Sequence, residues 1–314
     1  MKIQRIQLYE GRPDVTLTTY ILGNSKEMLN GQKRPGIVIC PGGGYLNCSD
    51  REGEPIALRF AAMGYHAFVL RYSTFTNNTS GFVPMDADIK VNHNSIHPAP
   101  VRDLGKAFLT IRAHADEWLV NTEKLCICGF SAGAHNCAMY SVYWNQSVLS
   151  EFFHESQEAF RPAAAILAYG LTDYILQSGL RMIDPFAKTL QSVSAFALFG
   201  DVSPALELLK EVSPVLHVSE HTPPTFLWAT SEDTLVSVQH TTRMANALAS
   251  AGVPFEVHVF EKGPHGLSLA DQASASSRME IDTDAAKWVS LAESWLEKRF
   301  ALPLRERPFW MDEL

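Results

Sequence analysis

Ser131 lies in Gly129-Phe130-Ser131-Ala132-Gly133, a G-x-S-x-G pattern. A serine hydroxyl becomes a useful nucleophile only when it is exposed and stands beside a base. The pattern provides the exposure when it falls between a strand and a helix. A sharp, strained turn then lifts the hydroxyl clear, and flanking glycines avoid collisions with neighbouring backbone. Here the apolar run 125–128 (LCIC) directly precedes the motif, and a helical pattern over 132–143 directly follows it. A helix starting there aims its first N–H groups at negative charge developing beside the serine. The plain alternative is an ordinary serine in a Gly-rich turn, and the rest of the chain decides between the two.

A second segment, Cys40-Pro41-Gly42-Gly43-Gly44-Tyr45, follows the run 36–40 (GIVIC). Consecutive glycines leave backbone N–H groups uncovered, so those near Gly43 and Gly44 can point at a carbonyl oxygen as it gains charge. The N–H of Ala132, next after the serine, is the expected partner donor. A phosphate-binding loop is the competing reading, but the segment has neither the G-x-G-x-x-G nor the G-x-x-x-x-G-K-S/T spacing. A flexible turn is the bland one.

The acid and base follow in the chain order Ser, Asp, His, one of the orders in which such triads occur. Asp233 stands in Thr230-Ser231-Glu232-Asp233, just beyond the apolar run 225–229. Loops past the C-terminal ends of strands are where open α/β sheets place reactive groups. Glu232 is its neighbouring rival. Asp173, after the preceding strand, is a second rival whose other readings are a helix cap or a pocket residue. Of 11 histidines, only His265, in Gly263-Pro264-His265-Gly266, combines this chain order with a tight loop just past a strand. His66 and His258 fall in or beside strands and read as structural; His93, His97, His217, His221 and His240 read as solvent-facing.

Elements that would position these groups alternate along the chain. Short apolar runs at 36–40, 67–70, 125–128, 163–168, 225–229 and 255–260 read as strands. Segments 55–63, 100–118, 132–143 and 240–251 carry helical spacing. Continuous apolar strands alternating with helices imply a mainly parallel central sheet covered on both faces, an α/β fold. Residues 15–21 read as an early antiparallel strand. One domain over 1–314 is expected, with two stretches outside the rhythm as lid or cap candidates: 74–98, long and Asn-rich, and 174–223, mixed with Pro and Gly.

Bulk properties narrow the function classes. The chain has 314 residues, 46% of them hydrophobic, enough for one large core. A net charge of -8, with no basic run, argues against nucleic acid as partner. No apolar stretch is long enough to span a bilayer, and the opening MKIQRIQLYEG lacks the apolar core of a secretory signal. With five cysteines, an odd number, reduced thiols and a cytoplasmic location are expected. Cys126 and Cys128 share a predicted strand and are expected to point apart. A metal site there is disfavoured by the spacing, and neither metal nor cofactor is expected.

The assembled motifs resemble the short-acyl esterases of the α/β-hydrolase fold, in the branch containing acetyl xylan esterase-like and hormone-sensitive-lipase-like enzymes. The likeness runs from PGGGY through HPAPVRDLGKAFLTIRAHADEW, GFSAG and SPVLHVSEHTPPTFLWATSEDTLV to FEKGPHGLSLAD. It implies a triad of Ser131, Asp233 and His265, with oxyanion donors near Gly43, Gly44 and Ala132. It departs where many relatives read HGGG and this chain has Pro41. The implied activity is hydrolysis of short acyl esters, acetyl first, including those of carbohydrates, with a small-molecule ester as partner. A non-catalytic receptor on this fold would normally lose part of the triad. A prolyl-oligopeptidase-like peptidase would normally carry a large N-terminal domain. Tyr45, Phe130, Tyr169 and Leu267, bulky and close to the motifs, are the expected pocket walls. The sequence leaves room for a homo-oligomer.

Overall fold

The computed structural model describes residues 1–79, 90–182 and 184–311. Apolar, often β-branched runs form the centre of one eight-stranded sheet: β1 (Lys2–Gln7), β2 (Thr16–Ile21), β3 (Arg34–Cys40), β4 (His66–Arg71), β5 (Val120–Phe130), β6 (Ala164–Ala168), β7 (Thr225–Thr230) and β8 (Phe255–Phe260). The spatial order is β1-β2-β4-β3-β5-β6-β7-β8. β2 runs antiparallel to both β1 and β4, and every pairing from β4 to β8 is parallel. Strands β3, β6 and β7 are buried at every position, as continuous apolar runs between two helical layers must be.

The helices are α1 (Glu54–Ala62), α2 (Ala99–Ala113), α3 (Ala132–Tyr143), α4 (Ser147–Phe153), α5 (Tyr174–Gly179), α6 (Pro185–Phe199), α7 (Leu206–Glu211), α8 (Gln239–Ser250) and α9 (Trp288–Phe300). On one face of the sheet, Val38, Leu125, Ile127 and Leu227 meet Leu104 and Phe108 of α2, Ala138 of α3 and Leu248 of α8. On the other, Ile37, Ile39, Ile166 and Trp228 meet Phe60 of α1 and Trp288, Trp295 and Phe300 of α9. The indoles of Trp228 and Trp288 stack at 5.3 Å between centroids. Large aromatic surfaces of this kind supply much of a core's burial energy.

Three features depart from expectation. β1 pairs along the sheet edge although its residues are mostly exposed, and α9 closes the second face; neither was anticipated. Cys126 and Cys128 do not point apart. Both enter the layer shared with α9, because residues two apart on a strand lie on one face. All five cysteines are free and buried.

Among the described residues of 174–223 are α5, α6 and α7, which face the loops after β3 and β5 across a cavity. In the 74–98 stretch, residues 80–89 lie outside the described residues. The flanking parts fasten to α6: the rings of Phe75 and Phe196 meet at 5.7 Å, and the His97 N–H donates to the Leu198 carbonyl. Among the described residues no helix is long and apolar enough to cross a membrane.

Candidate active site

β5 ends at Phe130 and α3 begins at Ala132, which leaves one residue to make the turn. That residue, Ser131, takes φ 50° and ψ -118°, a region L-residues rarely adopt. The turn is tight enough to dictate its glycines. A Cβ on Gly133 would lie 2.0 Å from the Cys40 carbonyl oxygen, and one on Gly129 would lie 2.3 Å from that of Gly133. The Ser131 N–H is anchored on the Ala168 carbonyl at 3.0 Å, so the serine turn is fixed to the neighbouring strand β6.

Ser131 Oγ lies 2.8 Å from His265 Nε2, and His265 Nδ1 lies 2.6 Å from Asp233 Oδ2. The other oxygen of Asp233 accepts the N–H groups of Leu235 and Val236, both at 2.9 Å, which fixes the plane of the carboxylate. Its side chain is only 1% exposed. With Nδ1–H donated to Asp233, His265 Nε2 is left as the acceptor of the serine proton. Burial opposes charge on His265, but the adjoining Asp233 carboxylate, with a smaller contribution from Glu52, outweighs it and the net shift is upward.

The rival acids have other work. Asp173 caps α5 through the Leu176 N–H and pairs with Arg243 at 2.7 Å. Glu232 accepts the Gly263 N–H at 3.2 Å and ties the acid loop to the histidine loop.

Gly43 and Gly44 have φ of 124° and 61°, values that suit glycine. Their N–H groups and that of Ala132 have no protein acceptor among the described residues. Beside them, Gly42 passes so close to the serine that a Cβ there would lie 2.8 Å from that of Ser131. Its own N–H is taken by Glu52 Oε2 at 2.7 Å. Glu52 is buried, and sequence reasoning missed it. Its partner Tyr169 is 117 residues away and Gly42 lies across a turn, and a lone Glu in Asp50-Arg51-Glu52-Gly53 carries no signal of either.

A cavity of about 780 Å³ opens over these groups, lined by Gly43, Gly44, Ser131, Ala132 and His265. Its opposite wall comes from the 174–223 segment, with Tyr174, Gln177, Leu190, Gln191, Ser194 and Phe199. Of the four expected pocket residues, Tyr45 alone lines it. Its hydroxyl bonds Nδ1 of His135, another lining residue, which burial holds neutral with a pKa pushed down to about 3. Contrary to expectation, Phe130, Tyr169 and Leu267 do not line the cavity: they pack behind Ser131 and His265 in the layer shared with α9. Phe130 contacts Trp288 edge-on at 5.9 Å, and the ring of Tyr169 meets that of His265 at 5.2 Å. Phe130 directly precedes Ser131 at the end of β5 and so turns to the other face.

The BD-FAE family model matches residues 27–248, well over half the chain. Endo-1,4-beta-xylanase B of Butyrivibrio fibrisolvens is 33% identical over 239 residues, 76% of this chain and 33% of that protein. The chain spans about a third to about half of the length of the curated relatives it matches. Among solved structures, an acetyl ester-xyloside bifunctional hydrolase from Caldicellulosiruptor lactoaceticus superposes with a TM-score of 0.71 at 28% identity, covering 94% of this chain and 96% of that one. A carboxylesterase from Lactobacillus plantarum superposes with a TM-score of 0.76 at 25% identity, covering 97% and 100%. The β2-to-β8 sheet order and the family match agree on one placement: the chain belongs to the BD-FAE family and has the α/β-hydrolase fold.

Proposed function

We propose that the chain is a serine carboxylesterase that hydrolyses short acyl esters, acetyl above all, including esters of carbohydrates, through an acyl-enzyme. The observation that carries this reading is the unbroken relay Ser131 Oγ, His265 Nε2, His265 Nδ1, Asp233 Oδ2, with contacts of 2.8 Å and 2.6 Å, next to three N–H groups that have no acceptor among the described residues. In the reaction, Ser131 Oγ attacks the ester carbonyl carbon as its proton passes to His265 Nε2. Asp233 stabilises the imidazolium and does not itself take the proton. The carbonyl oxygen, now anionic, accepts from Gly43, Gly44 and Ala132, donors already in place before charge develops. The bond to the alcohol oxygen then breaks, and His265 gives its proton to that oxygen. Water repeats the sequence on the acyl-serine: His265 removes its proton, the tetrahedral centre collapses, and the acid leaves as Ser131 regains its hydrogen.

The substrate class is argued from the walls. Tyr45, His135 and Tyr174 form a cluster of rings, with Tyr45 and Tyr174 each edge-on to His135, and hydrogen bonds hold both Tyr45 and His135. Such a wall resists lengthening of the acyl group. The α5–α6 wall mixes amides and hydroxyls of Gln177, Gln191, Ser192 and Ser194 with Leu190 and Phe199. That mixture suits an alcohol with polar edges and apolar faces, as a sugar has. The acetyl ester-xyloside hydrolase among the structural neighbours is consistent with it.

The test is kcat/KM for acetyl, butyryl, octanoyl and palmitoyl esters of p-nitrophenol below their micelle concentrations, beside acetylated xylose. An open groove gains about 0.8 kcal/mol per methylene and favours long chains. The proposed site loses activity steeply after butyryl and deacetylates the sugar. A maximum at octanoyl or beyond overturns the substrate class and leaves the triad standing.

A further inference from the structure

Glu52 lies in the short 3-10 turn Asp50–Glu52 that precedes α1, 4% exposed, at the edge of the catalytic cavity. Each of its carboxylate oxygens is claimed by a different part of the site. Oε2 accepts the Gly42 N–H at 2.7 Å, at the start of the loop that presents Gly43 and Gly44. Oε1 accepts the Tyr169 hydroxyl at 2.7 Å. That hydroxyl in turn accepts the Ser268 N–H at 2.9 Å, three residues past His265, while the Tyr169 ring stands edge-on to the imidazole. Ser268 is itself held to the turn carrying Glu52, through its Oγ on the Arg51 carbonyl at 2.7 Å. The oxyanion loop and the histidine loop, more than two hundred residues apart in sequence, thus share one buried carboxylate. Fully exposed, an acid could be replaced by water in this role. Buried, it is the sole acceptor that either donor has among the described residues.

We infer that Glu52 is a positioning residue for ester hydrolysis, setting the oxyanion donors and His265 in register through Gly42 on one side and Tyr169 on the other. The inference rests on the esterase reading of the site. Its geometric content is direct. A Cβ on Gly42 would lie 2.7 Å from Glu52 Oε2 and 2.8 Å from Ser131 Cβ, so the loop is held between the carboxylate and the nucleophile. Release of either bond lets the donors drift from the position the oxyanion occupies, where errors of an ångström are costly. The carboxylate also acts through space. It joins Asp233 in favouring the imidazolium form of His265, so its charge raises the pH at which the base becomes free. The other titratable and charged groups around it are Tyr72, Tyr169, Cys128 and Arg51. The two tyrosines and the cysteine are shifted upward by burial, and Arg51 is turned to the Ser274 carbonyl and Glu280.

The experiment uses the full chain with p-nitrophenyl acetate and reads kcat, KM, the acid limb of the pH profile and circular dichroism. Glu52→Ala is expected to lower kcat about 100-fold with KM within about threefold. Glu52→Gln, which fits the space without the charge, is expected to lower kcat about tenfold and to move the acid limb to lower pH. Tyr169→Phe is expected to lower kcat about tenfold with the acid limb in place. If Glu52→Ala does not fold, the other two variants carry the test. Wild-type kcat in folded variants overturns the inference. So does a loss confined to the amount of folded enzyme, with an unmoved acid limb in Glu52→Gln. In both cases the wild type still turns over the ester, so the esterase reading survives. A wild-type chain that hydrolyses no ester removes that reading instead.

Discussion

Ser131 owes its exposure to a strained backbone, and among the described residues its side chain hydrogen-bonds to His265 alone. On the proposed reading, removing the hydroxyl therefore takes away the nucleophile and leaves the packing intact. Ser131→Ala is expected to lower kcat by about 10⁴-fold or more with unchanged circular dichroism, and a phosphonate should label wild-type Ser131 alone. Asp233 and Asp173 offer a sharper contrast, since both are buried acids after strands. Asp233→Asn keeps an oxygen for the Leu235 and Val236 N–H groups but presents an amide to His265 Nδ1. The wrong tautomer follows, and kcat should fall about 10³- to 10⁴-fold. Asp173→Asn keeps the cap on Leu176 and loses the pair with the half-exposed Arg243, a pair worth at most about 1 kcal/mol. Its kcat should stay within about threefold of wild type. If the Asp173 variant is the more damaged, the acid is misassigned. His265 must be neutral to accept the proton and its pKa is shifted upward, so the rising limb of kcat/KM should lie above the ordinary ~6.5. The meeting of Ser131, His265 and Asp233, on which the proposed roles rest, was legible in sequence because each residue sits in a local signature: G-x-S-x-G, the strand-end acid and the Gly-Pro-His-Gly turn. Glu52 was not, because its role exists only in contacts between segments far apart along the chain.

At the level of elements, periodicity marked β3 to β8 and α3, since buried parallel strands and a helix set off by a glycine turn leave continuous or 3.6-spaced apolar runs. The edge strand β1 left no such trace: five of its six residues are exposed, and it is held by the ladder to β2. The lining of the cavity was illegible for a related reason. Phe130 adjoins Ser131, Leu267 lies two residues past His265 and Tyr169 directly follows β6, but the pleat and the turns send all three to the α9 side. The cavity wall comes instead from α5 and α6, whose apolar spacing gives no hint of which residues face Ser131. The close crossing of β3 and α3 supplies a test of how far element packing governs the site. A Cβ on Gly133 meets backbone at 2.0 Å and 2.4 Å, from Cys40 and Pro41, neither of which can yield without moving the oxyanion loop. Gly266, beside His265, has φ 78° and open space around its added Cβ. Gly133→Ala should therefore abolish activity and destabilise the fold by about 3 kcal/mol or more. Gly266→Ala should cost about 1 kcal/mol of backbone strain, measured by urea unfolding. Equal effects from the two would mean that conformational strain, and not the strand–helix crossing, sets the tolerance of the site.

Across the whole molecule, the buried histidines decide how the fold responds to acid. Burial pushes His66 and His240 down to about 4 and His135 to about 3, and all three side chains have folded-state partners that suit the neutral ring. His97 is depressed in the same sense, burial outweighing its pairing with Glu211. In the unfolded chain each would titrate near ~6.5. A depressed histidine contributes stability that is complete above the unfolded value and is lost as pH falls toward the folded one. Asp103 opposes this. Burial raises its carboxyl to about 6, so the folded state holds its proton more tightly and becomes less stable as pH rises from ~4 to ~6. His265 adds a smaller loss on the alkaline side, because its upward-shifted stabilisation disappears as pH rises through the folded value. At pH 5.5 the unfolded chain holds nearly three protons on His66, His135 and His240, while the folded chain holds most of one on Asp103. The difference makes unfolding take up about two protons near pH 5.5, and stability should fall by about 2 kcal/mol over that unit. By pH 4 the same groups should have removed about 6 kcal/mol, an amount that matches the lower end of a total of about 5–15 kcal/mol. Urea melts at pH 6.5 and 5.5, with proton uptake on unfolding measured in weakly buffered solution, check both quantities. Stability that is flat or rising as pH falls across that unit would mean that the buried imidazoles take up protons inside the fold.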